Sequence, residues 1–209
     1  QEVADCIKEA GIGFIFARMA HSAMKYVAGV RKELGMRTVF NILGPITNPA
    51  GASGRVLGVY DRSLLNVMAG ALNNLGVDRA FIVSSENGMD ELSTTSKSNV
   101  VYLENGNIIE YVLDPAELGF APAEISDLKG GDAAHNARIM KGILSGRIKG
   151  PMRDTALLNA AAAIVAGKLS DHIEDAIEMA AGSIDSGRAL EKLDKLADIS
   201  KRAAGKRRQ

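Results

Sequence analysis

Residues 55–84 decide the fold and read RVLGVYDRSLLNVMAGALNNLGVDRAFIVS. The first six residues and the last six are short apolar runs, which are typical of buried strands. Between them, Asp61 or Ser63 can cap a helix over residues 64–75, and Gly76 can end it. Two strands joined by one helix of this length predict a right-handed crossover with parallel strands. The stretch therefore predicts an α/β architecture.

The residues after this unit predict a β-hairpin and then helices. Residues 98–113 read SNVVYLENGNIIEYVL, in which Asn105-Gly106 separates two runs rich in Val, Ile and Tyr, as a type I′ turn requires. The apolar run Ala160–Ala163 predicts that its helix is buried against the sheet. Helical patterns cover residues 133–144, 154–167, 171–186 and 189–203.

The residues before the crossover unit are less regular. Their patterns predict a helix over residues 2–10 that Gly11 ends, a buried strand over 14–17 and a helix over 21–34. The following segment, Asn41–Pro49, contains Gly-Pro and Asn-Pro pairs that we expect to break any regular element. We predict one α/β domain over residues 1–209, with a central mostly parallel sheet, a β-hairpin addition and flanking helices.

Composition excludes several classes of protein. The 209 residues are 46% hydrophobic and 24% charged, with a formal net charge of zero. No long uncharged apolar run predicts a membrane span, and the first residues do not resemble a secretory signal. A general nucleic-acid binder would show a basic surplus. The single cysteine, Cys6, excludes an internal disulfide and favours a cytoplasmic location.

Two adjacent carboxylates, Asp90 and Glu91, follow the second strand of the crossover unit. Ligands of open α/β sheets bind outside the carboxyl ends of the strands, in the loops. Carboxylates there can hold Mg²⁺, which usually also binds a substrate phosphate. A solvated surface turn is the alternative for an Asp-Glu pair.

A second group of polar residues surrounds the predicted helix over residues 21–34. His21 opens it and Arg31 lies ten residues further on, so both side chains can face roughly the same side. An arginine in that position can bind a carboxylate with two parallel hydrogen bonds. A capping histidine and a surface arginine are the alternative. In segment 41–49, the rigid and permissive residues indicate either a backbone that a ligand approaches closely or a structural turn.

Taken together, these segments resemble the anthranilate phosphoribosyltransferases. The resemblance covers essentially the whole chain in the family's order, and the block over residues 30–49 is its most specific part. Thymidine and other pyrimidine phosphorylases share a looser version of the fold. The matching segments are GIGFIFA (11–17), HSAMK (21–25), VRKELGMRTVFNILGPITNP (30–49), GMDELS (88–93), GGDA (130–133) and LLNAAA (157–162).

The resemblance implies roles for matching residues. Arg31 would bind the anthranilate carboxylate, and His21 would line the same pocket. Gly44 and Pro45 would shape the channel through which anthranilate enters. Asp90 and Glu91 would hold Mg²⁺ against the pyrophosphate of the second substrate, phosphoribosyl pyrophosphate. No residue is assigned a catalytic role beyond metal and substrate positioning.

The chain also departs from the family pattern. Ser22 and Arg18 stand where the family usually has proline, which we expect to alter local mobility only. The family's helical N-terminal domain, its glycine-rich GTGGD loop and its Lys-His-Gly-Asn stretch do not occur in the sequence. We therefore expect the C-terminal part of a larger two-domain enzyme, with little or no activity alone, and a homodimer for the intact enzyme.

Two other functions remain open from the sequence. A pyrimidine nucleoside phosphorylase shares the architecture but uses phosphate as its co-substrate. A non-catalytic relative could retain the fold and bind nucleic acid, although the neutral charge speaks against it. Asp90, Glu91 and Arg31 favour the transferase.

Overall fold

The computed structural model describes residues 2–15, Glu33, Gly44 and residues 46–206. The chain divides into two compact units, Gln1–Ala50 with Arg188–Gln209 and Gly51–Gly187. The single domain expected from the sequence stays a prediction, as does its place in a larger enzyme. Among the described residues, no helix is both long and apolar enough to cross a membrane.

The first unit contains two helices that pack on each other. Helix α1 spans Glu2–Ala10, as predicted, and Gly11 follows it with a φ of +80°. Its buried residues Cys6 and Ala10 pack against Ile199 of the last helix, Arg188–Lys206. The predicted strand over residues 14–17 is wrong for its described part. Residues 14 and 15 are in no strand and Phe14 is 74% exposed, because an apolar run this short does not by itself secure a pairing partner.

The second unit is built around the crossover predicted from residues 55–84. Strand β1 spans Gly54–Gly58, helix α2 spans Leu65–Asn74 and strand β2 spans Arg79–Ser85. Asp61 caps a short 3₁₀ helix, Arg62–Leu64, that leads into α2. The two strands pair in parallel, from Gly54 with Arg79 to Gly58 with Val83. The predicted parallel unit is therefore confirmed.

The hairpin extends this sheet on the side of β2. Strands β3, Ser98–Glu104, and β4, Asn107–Leu113, are antiparallel to each other, and β3 is antiparallel to β2. The turn residues Asn105 and Gly106 have φ values of +48° and +87°, as type I′ requires. The described sheet has the order β1-β2-β3-β4. It is mixed, with one parallel pair and two antiparallel pairs, and the α/β class with a hairpin addition is confirmed.

Helices cover both faces of the sheet. Helix α2 packs its buried residues Met68 and Leu72 on β2 and β3, while the opposite face holds Phe81, Val83 and Val100. The remaining described helices are α3 (Ala133–Leu144), α4 (Pro151–Ala166), α5 (Ile173–Asp185) and, in the first unit, α6 (Arg188–Lys206). Of these, α4 packs on that opposite face of the sheet, against β1 and β2.

Helix α4 is buried on one side rather than all round. Leu158, Ala161 and Ala162 lie in the core beneath the sheet, but Ala163 is exposed. The expectation that this helix is buried against the sheet is therefore confirmed, and Ala163 lies on its exposed side. A helix that packs against a sheet on one face leaves its other face to neighbouring helices or solvent.

Candidate functional site

The candidate site is the segment over residues 86–97 that links β2 to β3, at the carboxyl end of β2. A tight turn begins it: the Gly88 amide donates to the Ser85 carbonyl at 2.9 Å, and Gly88 has a φ of +87°. The Ser85 amide donates to the Met89 carbonyl at 3.0 Å, so the chain turns back on itself. Asp90 and Glu91 follow directly and are both exposed.

The backbone of Asp90 lies against the last residue of β1, Gly58. A side chain at Gly58 would overlap the carbonyl group of Asp90, so the loop can take this course only because the residue is glycine. β1 and β2 are parallel neighbours. The two carboxylates therefore sit at the edge of the sheet where parallel strands end, which is where ligands of α/β sheets bind.

Hydrogen bonds from the core hold the next residues. The Ser85 hydroxyl donates to the Glu91 carbonyl at 2.5 Å, and the Ser93 amide donates to the Ser98 hydroxyl at 3.2 Å. Leu92 is fully buried, and its backbone is bound by the side chain of Asn159 on α4. The carboxylates thus stand on a short loop that is fixed to the strands and to a helix.

The local electrostatics favour a cation. Although Glu91 is exposed, neighbouring protein atoms displace part of the water around its carboxylate and so raise its pKa, and the adjacent carboxylate of Asp90 raises it further. Both effects reflect negative charge that is incompletely compensated, which a bound cation would relieve. In the described residues, no group of three or more His, Cys, Asp or Glu side chains forms a metal site. A pair of carboxylates suits Mg²⁺, which commonly uses one or two of them together with water and substrate phosphates.

A groove of about 530 Å³ opens beside this loop, within the second unit. Met89 and Glu91 lie on one side of it, and Asn136, Met140 and Met152 lie on others. The groove is mainly apolar, and Glu91 is one of its lining residues. Its volume leaves room for a small molecule beside Glu91.

The structure brings together some of the predicted residues and leaves others outside its description. Asp90 and Glu91 lie together after β2 as predicted. Gly44, in the first unit, is helical and half-buried, and its carbonyl accepts a hydrogen bond from Thr47 Oγ1 at 3.4 Å. Residues 44 and 46 are helical, so the expected absence of regular structure is wrong at those two positions. Five residues discussed from the sequence lie outside the described residues: Arg31, His21, Pro45, Ser22 and Arg18.

Sequence reasoning missed two residues that shape the site, Gly58 and Asn159. Gly58 interrupts a strand pattern, and such a glycine often marks the close approach of another backbone. That signal was available. No sequence signal marked Asn159, because helical periodicity does not show which loop a polar side chain will contact. The Gly130-Gly131-Asp132 turn leads into α3, and the Asp132 side chain caps that helix by accepting from the His135 amide at 2.7 Å.

Comparisons with known proteins agree with this picture. The anthranilate phosphoribosyltransferase of Acetivibrio thermocellus is 48% identical over 95% of this chain and 57% of the relative. The crystal structure of the Thermus thermophilus enzyme matches with a TM-score of 0.88 and 41% identity, over 95% of this chain and 59% of that one. The Saccharomyces cerevisiae enzyme in complex with PRPP and Mg matches with a TM-score of 0.78 and 32% identity, over 86% of this chain and 52% of that one.

These relatives confirm the resemblance stated from the motifs. The chain spans about 57–60% of the length of the curated relatives it matches. A family model described as the a/b domain of a glycosyl transferase family matches residues 1–190. The chain therefore belongs to this glycosyl transferase family.

Proposed function

We propose that the chain is the α/β part of an anthranilate phosphoribosyltransferase, which transfers the phosphoribosyl group of phosphoribosyl pyrophosphate to the amine of anthranilate. The observation that carries the proposal is the Asp90-Glu91 pair on a core-anchored loop at the carboxyl edge of the sheet. The identity of the relatives supports the same activity. The cytoplasmic location and the homodimer predicted from the sequence belong to this proposal.

The reaction exchanges one bond at C1 of the ribose for another. The anthranilate nitrogen forms a bond to C1, the bond from C1 to the pyrophosphate oxygen breaks, and the amine loses a proton to solvent. The amine is weakly basic and arrives neutral, so no strong general base is required. The main demand is stabilisation of negative charge on the leaving group.

Asp90 and Glu91 would meet that demand by holding Mg²⁺. The metal would neutralise charge on the departing pyrophosphate. The two carboxylates would supply oxygen ligands, and hydrogen bonds with Ser85 and Asn159 limit how far their loop can move. A yeast relative with PRPP and Mg bound supports this choice of metal.

The residues outside the described ranges keep the roles that the resemblance implies. Arg31 would bind the anthranilate carboxylate and point the amine at C1, a positioning effect. His21 would line the same pocket. Pro45, together with the described Gly44, would shape the path by which anthranilate enters.

A chimeric enzyme tests the function. This chain replaces the matching 57% of the Acetivibrio thermocellus relative, and turnover of anthranilate and phosphoribosyl pyrophosphate is measured against Mg²⁺ concentration. We expect the double variant Asp90→Asn, Glu91→Gln to lower kcat by on the order of 100-fold and to weaken the metal dependence. Arg31→Ala should raise the KM for anthranilate more than that for the sugar substrate.

A matched control separates site effects from charge effects. Glu174 and Asp175 are also adjacent, exposed acids, in the first turn of α5. Glu174→Gln with Asp175→Asn removes the same charge and should leave kcat and metal dependence unchanged. Equal metal dependence in the Asp90-Glu91 variant and the parent chimera would contradict the proposal. Phosphorolysis of thymidine in place of anthranilate transfer would instead identify a pyrimidine nucleoside phosphorylase.

A further inference from the structure

The side chain of Asn159 binds both backbone groups of the residue that follows the two carboxylates. Its Oδ1 accepts from the Leu92 amide at 3.0 Å, and its Nδ2 donates to the Leu92 carbonyl at 2.7 Å. The same Nδ2 donates to the Thr155 carbonyl, one turn earlier in α4, at 2.9 Å. Both donors of the amide and its acceptor are therefore used, which fixes the orientation of the group.

The two bonds to Leu92 provide the hydrogen-bond partners that a neighbouring strand would give to a residue within a sheet. Leu92 is fully buried and lies between β2 and β3, outside the sheet ladder. Buried backbone groups need hydrogen-bond partners, and the pair of bonds from Asn159 supplies them. A shorter or apolar side chain at position 159 would leave both groups of Leu92 unpaired. The loop would then gain by moving toward water.

A second link runs from α4 to the same loop. The hydroxyls of Thr94 and Thr155 lie 2.7 Å apart, and both residues are buried. Helix α4 thus holds the loop at Leu92 and at Thr94, directly after Asp90 and Glu91. On the other side, the Asp90 backbone rests on Gly58 of β1.

We propose that Asn159 is a positioning residue for the metal site, which fixes Asp90 and Glu91 through the backbone of Leu92. This inference rests on the proposed function, because it takes the two carboxylates to be Mg²⁺ ligands. Mg²⁺ demands near-ideal geometry at its oxygen ligands, so a loop released at Leu92 would bind it poorly. Residues that orient metal ligands from behind typically change affinity by about 10- to 100-fold when they are replaced.

Mn²⁺ binding to the 209-residue chain, followed by electron paramagnetic resonance, tests the inference. Wild type should bind the ion, and the variant Asp90→Asn, Glu91→Gln should not. We expect Asn159→Ala to lower the affinity about 10-fold. We expect Asn159→Asp, which keeps the acceptor and loses the donors, to fall short of wild-type affinity as well. The matched control is Asn66→Ala, which removes an exposed asparagine hydrogen bond to Glu110 and should bind as wild type does.

The outcomes separate the two claims. If wild type does not bind Mn²⁺, or if the Asp90-Glu91 variant binds it equally well, the metal site of the proposed function is wrong and this inference falls with it. If that site is real but folded Asn159→Ala binds with wild-type affinity, only the role of Asn159 is wrong. Wild type offers a second measurement that needs no variant. Titration with Mg²⁺ should shift the side-chain amide resonance of Asn159 and the backbone amide of Leu92, and unchanged resonances at saturation would overturn the inference.

Discussion

Replacing Gly58 with alanine should displace the loop that carries Asp90 and Glu91 while leaving most of the fold in place. The added methyl group would overlap the carbonyl group of Asp90 and lie 3.2 Å from its Cα. Ordinary contact begins at 3.4 Å, so the carbonyl oxygen of Asp90, which is the atom closest to the methyl group, must retreat by about 2 Å. That distance is as long as a bond between Mg²⁺ and an oxygen ligand, about 2.0–2.1 Å. We therefore expect Mn²⁺ affinity to fall by about 10-fold or more.

The cost to stability should be at the upper end of the range for overpacking, because the methyl group meets backbone and not the end of a flexible side chain. Overpacking of this kind typically costs about 1–3 kcal/mol, against about 5–15 kcal/mol for the unfolding of a whole domain. Urea denaturation measures the loss of stability, and Mn²⁺ binding below the unfolding transition measures the loss of affinity. The two assays together show whether the loop moves without general unfolding.

Gly54, in the same strand, provides a matched control. A methyl group there would overlap the carbonyl group of Ala166 at the end of α4, far along β1 from the loop. Gly54→Ala should therefore lose stability and keep its Mn²⁺ affinity. If the two variants bind Mn²⁺ equally well, the contact between Gly58 and Asp90 does not set the position of the carboxylates, and the reasoning is refuted.

Three further predictions concern the second unit alone. Leu158→Ala removes a fully buried side chain from the core and should lower the free energy of unfolding by about 2–5 kcal/mol in urea denaturation; a loss below about 1 kcal/mol would show that the site collapses. Gly182 lies at an exposed position inside α5 with open space for a methyl group. Gly182→Ala should therefore raise the free energy of unfolding by about 1 kcal/mol, and a decrease would show that the position requires glycine. Arg153 donates a hydrogen bond to the Asp185 carboxylate at 2.9 Å and holds the pKa of that carboxyl below its ordinary 3.8. The stability that this contact contributes to the fold is therefore present above pH 3.8 and is lost as the pH falls through the folded-state pKa. Asp185→Asn should flatten this acid-induced loss in urea denaturation at decreasing pH, and an unchanged acid limb would contradict the assignment.

Local patterns were enough to predict the elements of the second unit. The crossover over residues 55–84 and the Asn105-Gly106 turn depend on residues close in sequence, and the backbone angles follow from those residue types. The order of the sheet was harder. Whether β3 lies parallel or antiparallel to β2 depends on a pairing between distant strands, and the sequence pattern of a strand is the same in both cases.

The residues of the candidate site also differ in whether the local sequence could identify them. Asp90 and Glu91 could be found because they follow a recognisable strand, and position after a strand is a property of the sequence. Asn159 could not, because it acts 67 residues away from Leu92 through two hydrogen bonds that only the fold creates. The roles of Arg31 and His21 stay predictions, since those residues lie outside the described ranges.

The attachment of residues 92 and 93 to the core has a consequence for how the loop opens. Surface loops usually exchange their amide hydrogens with solvent quickly, through small local openings. The Leu92 and Ser93 amides instead donate to Asn159 and to Ser98, and Leu92 and Ser93 are both fully buried. Releasing them requires α4 to separate from the loop, or β3 to lose contact with it. Their deuterium uptake should therefore be as slow as that of β2, which would make this loop part of the last region of the second unit to unfold.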